Sequence, residues 1–96
     1  MNKNAEKIIP QIDEAIFLIE NEINQAVEKS IDARPLQFIR SRLFGIKSCI
    51  IQNDGKKDPG FTPDIARMAI EIFSINDLLV DQLCRIECEY ERLKPI

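Results

Sequence analysis

The sequence predicts an all-α protein, an antiparallel three-helix bundle with a long C-terminal helix. Apolar residues recur at spacings of three and four in three segments, which is typical of helices that pack one face into a core. Glycine and proline interrupt this pattern at Pro35 and within residues 53–60, where turns are expected. No segment alternates apolar and polar residues as a strand would. The 96 residues are expected to form one domain, 1–96.

The first helix is predicted over residues 5–29. Its apolar side chains form a broad stripe, and most of its acidic residues lie off that stripe. The stripe contains Ile8, Ile9, Ile12, Ala15, Ile16, Ile19, Ile23 and Ala26. Pro10 has no N–H to donate and belongs in a first helical turn. The pattern therefore predicts either a helix start near residue 9 or a kink at this proline.

The second helix is predicted over residues 35–53 and has the most regular pattern. Its apolar positions alternate at spacings of three and four: Leu36, Ile39, Leu43, Ile46 and Ile50. Pro35 suits the first helical position, where the missing N–H costs nothing. Gly45 falls on the opposite side from this seam, where glycine lowers helix propensity by about 1 kcal/mol relative to alanine.

The third helix is predicted over residues 63–93, after a connector at 54–62. Thr62 is the expected N-cap and Pro63 the first helical residue. The predicted seam contains Ile65, Met68, Ile72, Ile75, Leu79, Leu83, Ile86, Tyr90 and Leu93. A continuous helix of this length would extend roughly 46 Å. Its last ten residues are then expected to project beyond the two shorter helices.

A second apolar row on the third helix predicts self-association. The apolar arc of this helix is wider than two neighbours in one small bundle readily cover, and exposed apolar patches usually mark interfaces. A homodimer through this helix is therefore expected, with two outward-facing aromatic residues of the other helices as further contacts. The predicted interface residues are Ile70, Phe73, Val80, Cys84, Cys88, Tyr90, Leu93, Phe17 and Phe38.

Charge is distributed unevenly along the chain. Residues 1–33, 34–57 and 58–96 carry net charges of −4, +5 and −4. The structural interpretation is a basic helix between two acidic ones, with interhelical ion pairs from Arg40, Arg42 and Lys47. The alternative is an anion-binding or nucleic-acid-binding strip. That strip would contain Arg34, Arg40, Arg42, Lys47, Lys56 and Lys57. The acidic balance elsewhere favours a basic protein partner over nucleic acid.

The residue types present argue against an enzyme. The chain has no histidine, which excludes histidine-based triads and the common histidine-containing zinc and di-iron sites. Cys84 and Cys88 lie one helical turn apart but supply only two ligands of a tetrahedral zinc site. No glycine-rich phosphate loop is present. We therefore expect no catalytic residues, no metal and no cofactor. Three cysteines, an odd number, suit a reducing cytoplasm.

These observations predict a non-enzymatic, cytoplasmic protein–protein interaction module that acts by helix-face docking. A small chaperone, an adaptor, or an inhibitor-like or immunity-like regulator would fit this description. The expected partners are a second copy of the chain and another protein, basic in character. The longest apolar run is far too short for a membrane span, so no membrane partner is expected.

Overall fold

The structure is a computed structural model that describes residues 2–73 and 77–96. These residues form four helices: α1 (Lys3–Glu28), α2 (Arg34–Gln52), α3 (Ala66–Ile72) and α4 (Leu78–Glu91). The predicted all-helical class is confirmed. Within the described residues, strand-like pairing is limited to one isolated bridge between Lys57 and Pro95. Ile75, a member of the predicted third-helix seam, lies outside the described residues.

Helix α1 begins earlier than predicted because Asn2 caps it. The backbone N–H of Ala5 donates to Asn2 Oδ1 at 2.8 Å, which satisfies one of the free donors of the first turn. Pro10 lies inside the helix rather than at its start, so the predicted start near residue 9 is wrong. Pro10 is exposed, and solvent can therefore reach the backbone around the missing hydrogen bond.

Helix α2 matches its predicted range to within one residue at each end. Proline occupies its first turn, as expected. All five residues of the predicted seam are buried: Leu36, Ile39, Leu43, Ile46 and Ile50. The regular three-and-four spacing therefore identified the core face of this helix correctly.

The predicted continuous helix over 63–93 is wrong. The backbone is extended at Phe73 (ψ 161°) and again at Asp77 (ψ 132°), so α3 and α4 are separate helices. Asp77 is the N-cap of α4, with its side chain accepting from the Leu79 N–H at 2.8 Å. Residues 63–65 are not helical either, and Asp64 adopts φ 51°. The predicted cap at Thr62 and first helical residue at Pro63 are therefore wrong as well.

Helix α1 packs against both α2 and α4, and α3 packs against α4 and α2. Two polar contacts define the directions of the long helices. Lys47 Nζ lies 2.7 Å from Asp13 Oδ1, and Gln11 Nε2 donates to Glu89 Oε2 at 3.2 Å. The C-terminal part of α2 and that of α4 thus both lie beside the N-terminal part of α1. The buried side chains among the described residues are all apolar or aromatic.

The chain after α4 turns back onto the connector instead of projecting from the bundle. The Lys57 N–H donates to the Lys94 carbonyl at 2.9 Å, and the Ile96 N–H donates to the Lys57 carbonyl at 3.0 Å. Asn2 Nδ2 donates to the Gly55 carbonyl from the start of α1. We call this region, formed by Asn2, residues 53–61 and residues 93–96, the tied end. The described helices include none with the length and apolarity to cross a bilayer.

Candidate functional site

The start of α3 depends on a carboxylate from the neighbouring helix. Helix α3 has no side-chain cap of its own at Ile65. Instead, Glu87 of α4 accepts from the N–H groups of Ile65 and Ala66, at 2.8 and 3.5 Å. A negative charge at a helix N-terminus also interacts favourably with the helix dipole. Glu87 therefore fixes where α3 begins and binds it to α4.

Large apolar side chains are exposed near the end of α3 and at the start of α4. Leu78, the first residue of α4, is 78% exposed, and Ile70 and Ile72 of α3 are also exposed. Phe73 at the end of α3 is half-buried against the core. We call these four residues the α3–α4 patch. The exposed residues Glu71 and Asp81 lie beside it in the sequence.

The predicted interface residues divide into two groups. Val80, Tyr90 and Leu93 are buried within the single chain and have little surface to offer a partner. The others keep exposed area. They are Ile70, Phe17, Phe38 and Cys88, which are exposed, and Phe73 and Cys84, which are half-buried. Sequence reasoning missed Ile72 and Leu78, because a continuous helix hid the ends created at Phe73 and Asp77.

Tyr90 of α4 packs against the tied end. Its hydroxyl accepts from the Asp58 N–H at 3.1 Å, and its ring meets Phe61 edge-on with ring centroids 6.2 Å apart. Burial, with a further contribution from the Cys49 thiol, raises the pKa of Tyr90 to about 12. The hydroxyl thus acts as a structural acceptor that holds the connector onto α4.

Phe61 also explains why position 45 is glycine. A Cβ added to Gly45 would lie 2.9 Å from Phe61 Cζ, which is too close for normal contact. The same ring lies against Arg42, whose guanidinium carbon is 5.5 Å from the Phe61 centroid and 5.1 Å from that of Phe38. Cation–π contacts of this kind hold Arg42 along the α2 surface.

Most of the predicted basic strip has partners within the chain. Lys47 pairs with Asp13 of α1, which confirms one expected interhelical ion pair. Lys57 pairs with Glu91 at 3.8 Å and also donates to its backbone carbonyl. Arg34 pairs with Asp32 at 2.9 Å, and this hydrogen bonding lowers the pKa of that carboxyl to about 2.

The remaining basic residues of the predicted strip are Arg40, Arg42 and Lys56. Arg42 contacts aromatic rings rather than the carboxylate that its position on α2 predicted. Arg40 is half-buried on α2, and Lys56 is exposed in the connector. An anion would therefore have to compete with existing carboxylate partners for three of the six predicted residues.

Two shallow grooves on the surface have room for small ligands. One, of about 280 Å³, lies between the start of α1 and the end of α4. The other, of about 390 Å³, lies at the tied end beside Tyr90 and Phe61. In residues 2–73 and 77–96, no group of three or more histidine, cysteine or carboxylate side chains is placed to hold a metal ion.

The environment of the Cys84 thiol does not favour thiolate chemistry. Cys84 and Cys88 are both unpaired on α4. Burial, followed by the nearby Glu87 and Asp81 carboxylates, raises the pKa of Cys84. A raised pKa keeps the thiol protonated, and the protonated form is a poor nucleophile and a poor metal ligand.

Comparison with known proteins adds no relative. No family model, no curated protein and no solved structure matches this chain.

Proposed function

We propose that this chain is a non-enzymatic, cytoplasmic protein–protein interaction module that docks a partner on the α3–α4 patch. A small chaperone, an adaptor or an inhibitor-like regulator would act in this way. The observation that carries the proposal is the exposure of Leu78, the first residue of α4, which is 78% exposed. Ile70 and Ile72 on the preceding helix are exposed as well. Large exposed apolar side chains often belong to interaction sites.

The partner is proposed to present an apolar helix or segment flanked by basic residues. Glu71 and Asp81 are exposed next to the patch in sequence, and a basic flank would complement them. The apolar side chains would supply the buried contact, and the carboxylates would steer the encounter. The three unpaired cysteines are compatible with a reducing compartment.

Anion binding has weaker support as an alternative. Lys47, Lys57 and Arg34 each hold a carboxylate, and Arg42 lies between two phenylalanine rings. A nucleic-acid surface needs several free cations on one face, because its affinity comes from displacing counterions at many phosphates.

The test is photo-crosslinking of partners from the native cytoplasm. A photoreactive amino acid replaces Leu78, and cross-linked proteins are identified by mass spectrometry. The matched control places the same amino acid at Asn24, an exposed α1 residue. We expect a discrete partner that cross-links from position 78 and not from position 24.

A charge substitution gives the second arm of this test. Leu78→Lys puts a cation into the patch, and we expect it to reduce capture of that partner at least tenfold while helical circular dichroism is unchanged. Asn24→Lys adds the same charge on α1 and should leave capture unchanged. Equal capture by both variants would contradict the proposal. So would tight binding of a DNA or RNA oligonucleotide that weakens steeply with salt.

A further inference from the structure

The side chain of Arg42 on α2 is positioned by two phenylalanine rings. Its guanidinium carbon lies 5.1 Å from the ring centroid of Phe38, one helical turn earlier, and 5.5 Å from that of Phe61 in the connector. Cation–π contacts with two rings restrict a side chain that would otherwise sample many rotamers. We call Phe38, Arg42 and Phe61 the arginine site.

Contacts outside the arginine site fix the position of Phe61. Its ring meets Tyr90 edge-on, and its backbone N–H donates to the Asp58 carbonyl at 3.0 Å. The same ring approaches α2 at Gly45, where an added Cβ would lie 2.9 Å from the ring carbon Cζ. Glycine has a lower helix propensity than alanine, yet it is the residue that leaves room for the ring. The ring therefore has a defined position beside Arg42.

The rings contact the guanidinium of Arg42 but leave its N–H donors without an acceptor. In the part of the chain that the structure describes, Arg42 forms no hydrogen bond and no ion pair. Arg42 is half-buried, but its nitrogens are not among the buried polar atoms that lack a partner, so they are open to solvent. Lys47, Lys57 and Arg34, by contrast, already pair with carboxylates. The arginine site thus presents a restricted planar cation with free donors.

We propose that the arginine site binds a carboxylate that carries an apolar group. A guanidinium matches a planar carboxylate through two parallel hydrogen bonds. Phe38 is 40% exposed, so its ring has surface left to contact the apolar group of the ligand. The arginine site shares no residue with the α3–α4 patch, and its ligand is opposite in charge to the basic partner proposed there.

A single guanidinium between apolar rings favours a carboxylate over a phosphate. A phosphate monoester carries up to two negative charges near neutral pH, and nucleic acid presents many phosphates that each need a cation. The arginine site supplies one cation, and the rings of Phe38 and Phe61 cannot solvate a second charge. A ligand with one negative charge on a planar group is therefore the better match.

The restriction of Arg42 before binding should improve the affinity for such a ligand. A long side chain normally loses rotamer freedom when it binds, but contacts with Phe38 and Phe61 have already removed part of that freedom. A ligand of this kind with a single aromatic ring should bind with a dissociation constant of roughly 1–10 mM. The ligand has two possible sources, a free aromatic acid and the C-terminal carboxylate of a protein that ends in an apolar residue.

The test is an NMR titration of the isotope-labelled protein with hydrocinnamate. We expect saturable shifts, largest at the Arg42 Nε–H and at the rings of Phe38 and Phe61. Hydrocinnamide, which has the same shape without the charge, should bind at least about tenfold more weakly. A tripeptide of two alanines and a C-terminal phenylalanine is the second probe. Tighter binding of this peptide than of hydrocinnamate identifies a protein C-terminus as the source, and weaker or equal binding identifies a free acid.

Matched variants separate the planar donors from the charge. Arg42→Lys keeps the positive charge but loses the planar group, and it should weaken hydrocinnamate binding roughly tenfold. Arg40→Lys makes the same change at another half-buried arginine of α2 and should leave binding unchanged. Gly45→Ala alters no residue of the arginine site but displaces the Phe61 ring, so it should weaken binding several-fold. Each variant is titrated at a temperature where circular dichroism shows the wild-type helical signal.

Four results would overturn the proposal. The first is the absence of shifts at Arg42 with hydrocinnamate well above the expected dissociation constant. The second is equal binding of hydrocinnamide, which would show an apolar contact without the ion pair. The third is equal affinity of Arg42→Lys and the wild type for hydrocinnamate, which would place the ligand elsewhere. The fourth is tighter binding of phenyl phosphate than of hydrocinnamate, which would contradict the preference for a carboxylate.

Discussion

The two ends of this small bundle are completed in opposite ways. At the tied end, backbone hydrogen bonds join the connector to the C-terminal residues, and the ring of Tyr90 is buried beneath them. At the α3–α4 connection, Asp77 caps α4, but Leu78, Ile70 and Ile72 stay in solvent. One end satisfies its polar and apolar groups together. The other leaves apolar surface available.

This difference suggests that stability and binding are located in separate parts of the chain. A buried aromatic with a hydrogen-bonded hydroxyl stabilises the fold through packing and through a satisfied donor. An exposed leucine at a helix start contributes little to folding, because it gains little burial. Substitutions at the two ends should therefore have very different costs.

The largest contrast is expected between Tyr90→Ala and Leu78→Ala. Removing the buried ring should lower the free energy of unfolding by about 3–5 kcal/mol, because it leaves a cavity and frees the connector. Leu78→Ala should change it by less than about 0.5 kcal/mol. Urea denaturation followed by circular dichroism measures both. Similar losses for the two variants would show that the α3–α4 patch is part of the folding core.

Glu87→Ala tests how strongly α3 depends on the cap that α4 supplies. The substitution leaves the N–H groups of Ile65 and Ala66 without their acceptor, and we expect a loss of about 1–2 kcal/mol. Glu87→Gln keeps an acceptor oxygen and should recover part of this loss. Hydrogen exchange at the first amides of α3 should accelerate in the alanine variant. Unchanged exchange there would show that α3 is held by packing alone.

Gly45→Ala tests the close packing of the tied end. The added methyl group would displace the Phe61 ring, which should outweigh the gain in helix propensity and destabilise the fold by about 1 kcal/mol. In a Phe61→Ala background the obstacle is absent, and the same substitution should then stabilise by up to about 1 kcal/mol. An equal effect of Gly45→Ala in both backgrounds would contradict the contact.

The smallest effect is a pH dependence that belongs to the tied end. Because the pKa of Tyr90 is raised to about 12, the unfolded chain loses this proton from about pH 10 while the folded chain keeps it. The free energy of unfolding should therefore fall between pH 10 and 12, with the full contribution present below pH 10. Tyr90→Phe, which cannot titrate, should show a shallower fall over the same range. Identical slopes would contradict the raised pKa.

Much of the fold follows from local patterns in the sequence. The spacing from Leu36 to Ile50 predicted the buried face of α2, because a regular apolar period on one helix needs no long-range information. The break near Asp77 was missed, although aspartate before Leu78 is a common N-cap signal. The apolar residues that follow it continue the same period, and periodicity alone cannot distinguish one long helix from two shorter ones.

The functional surfaces were less predictable from the sequence. Val80 and Leu93 have the same apolar character as Ile70, and only tertiary packing determines which of them are buried. Likewise Arg42 was expected to pair with a carboxylate. The position of the Phe61 ring, fixed by a connector with no regular pattern, places it against aromatic carbon instead. The interhelical ion pair of Lys47 was predicted correctly because its partner lies on an adjacent helix with regularly spaced apolar residues.

Tyr90 is the chain's one tyrosine, and the chain contains no tryptophan. Intrinsic fluorescence and the tyrosine bands of near-ultraviolet spectra therefore originate almost wholly at one location. These signals report on the junction between the connector and α4. They do not report on an event confined to the α3–α4 patch. Ligand screens on this protein therefore need an extrinsic label near Leu78, because the signal of Tyr90 would not change when a partner bound there.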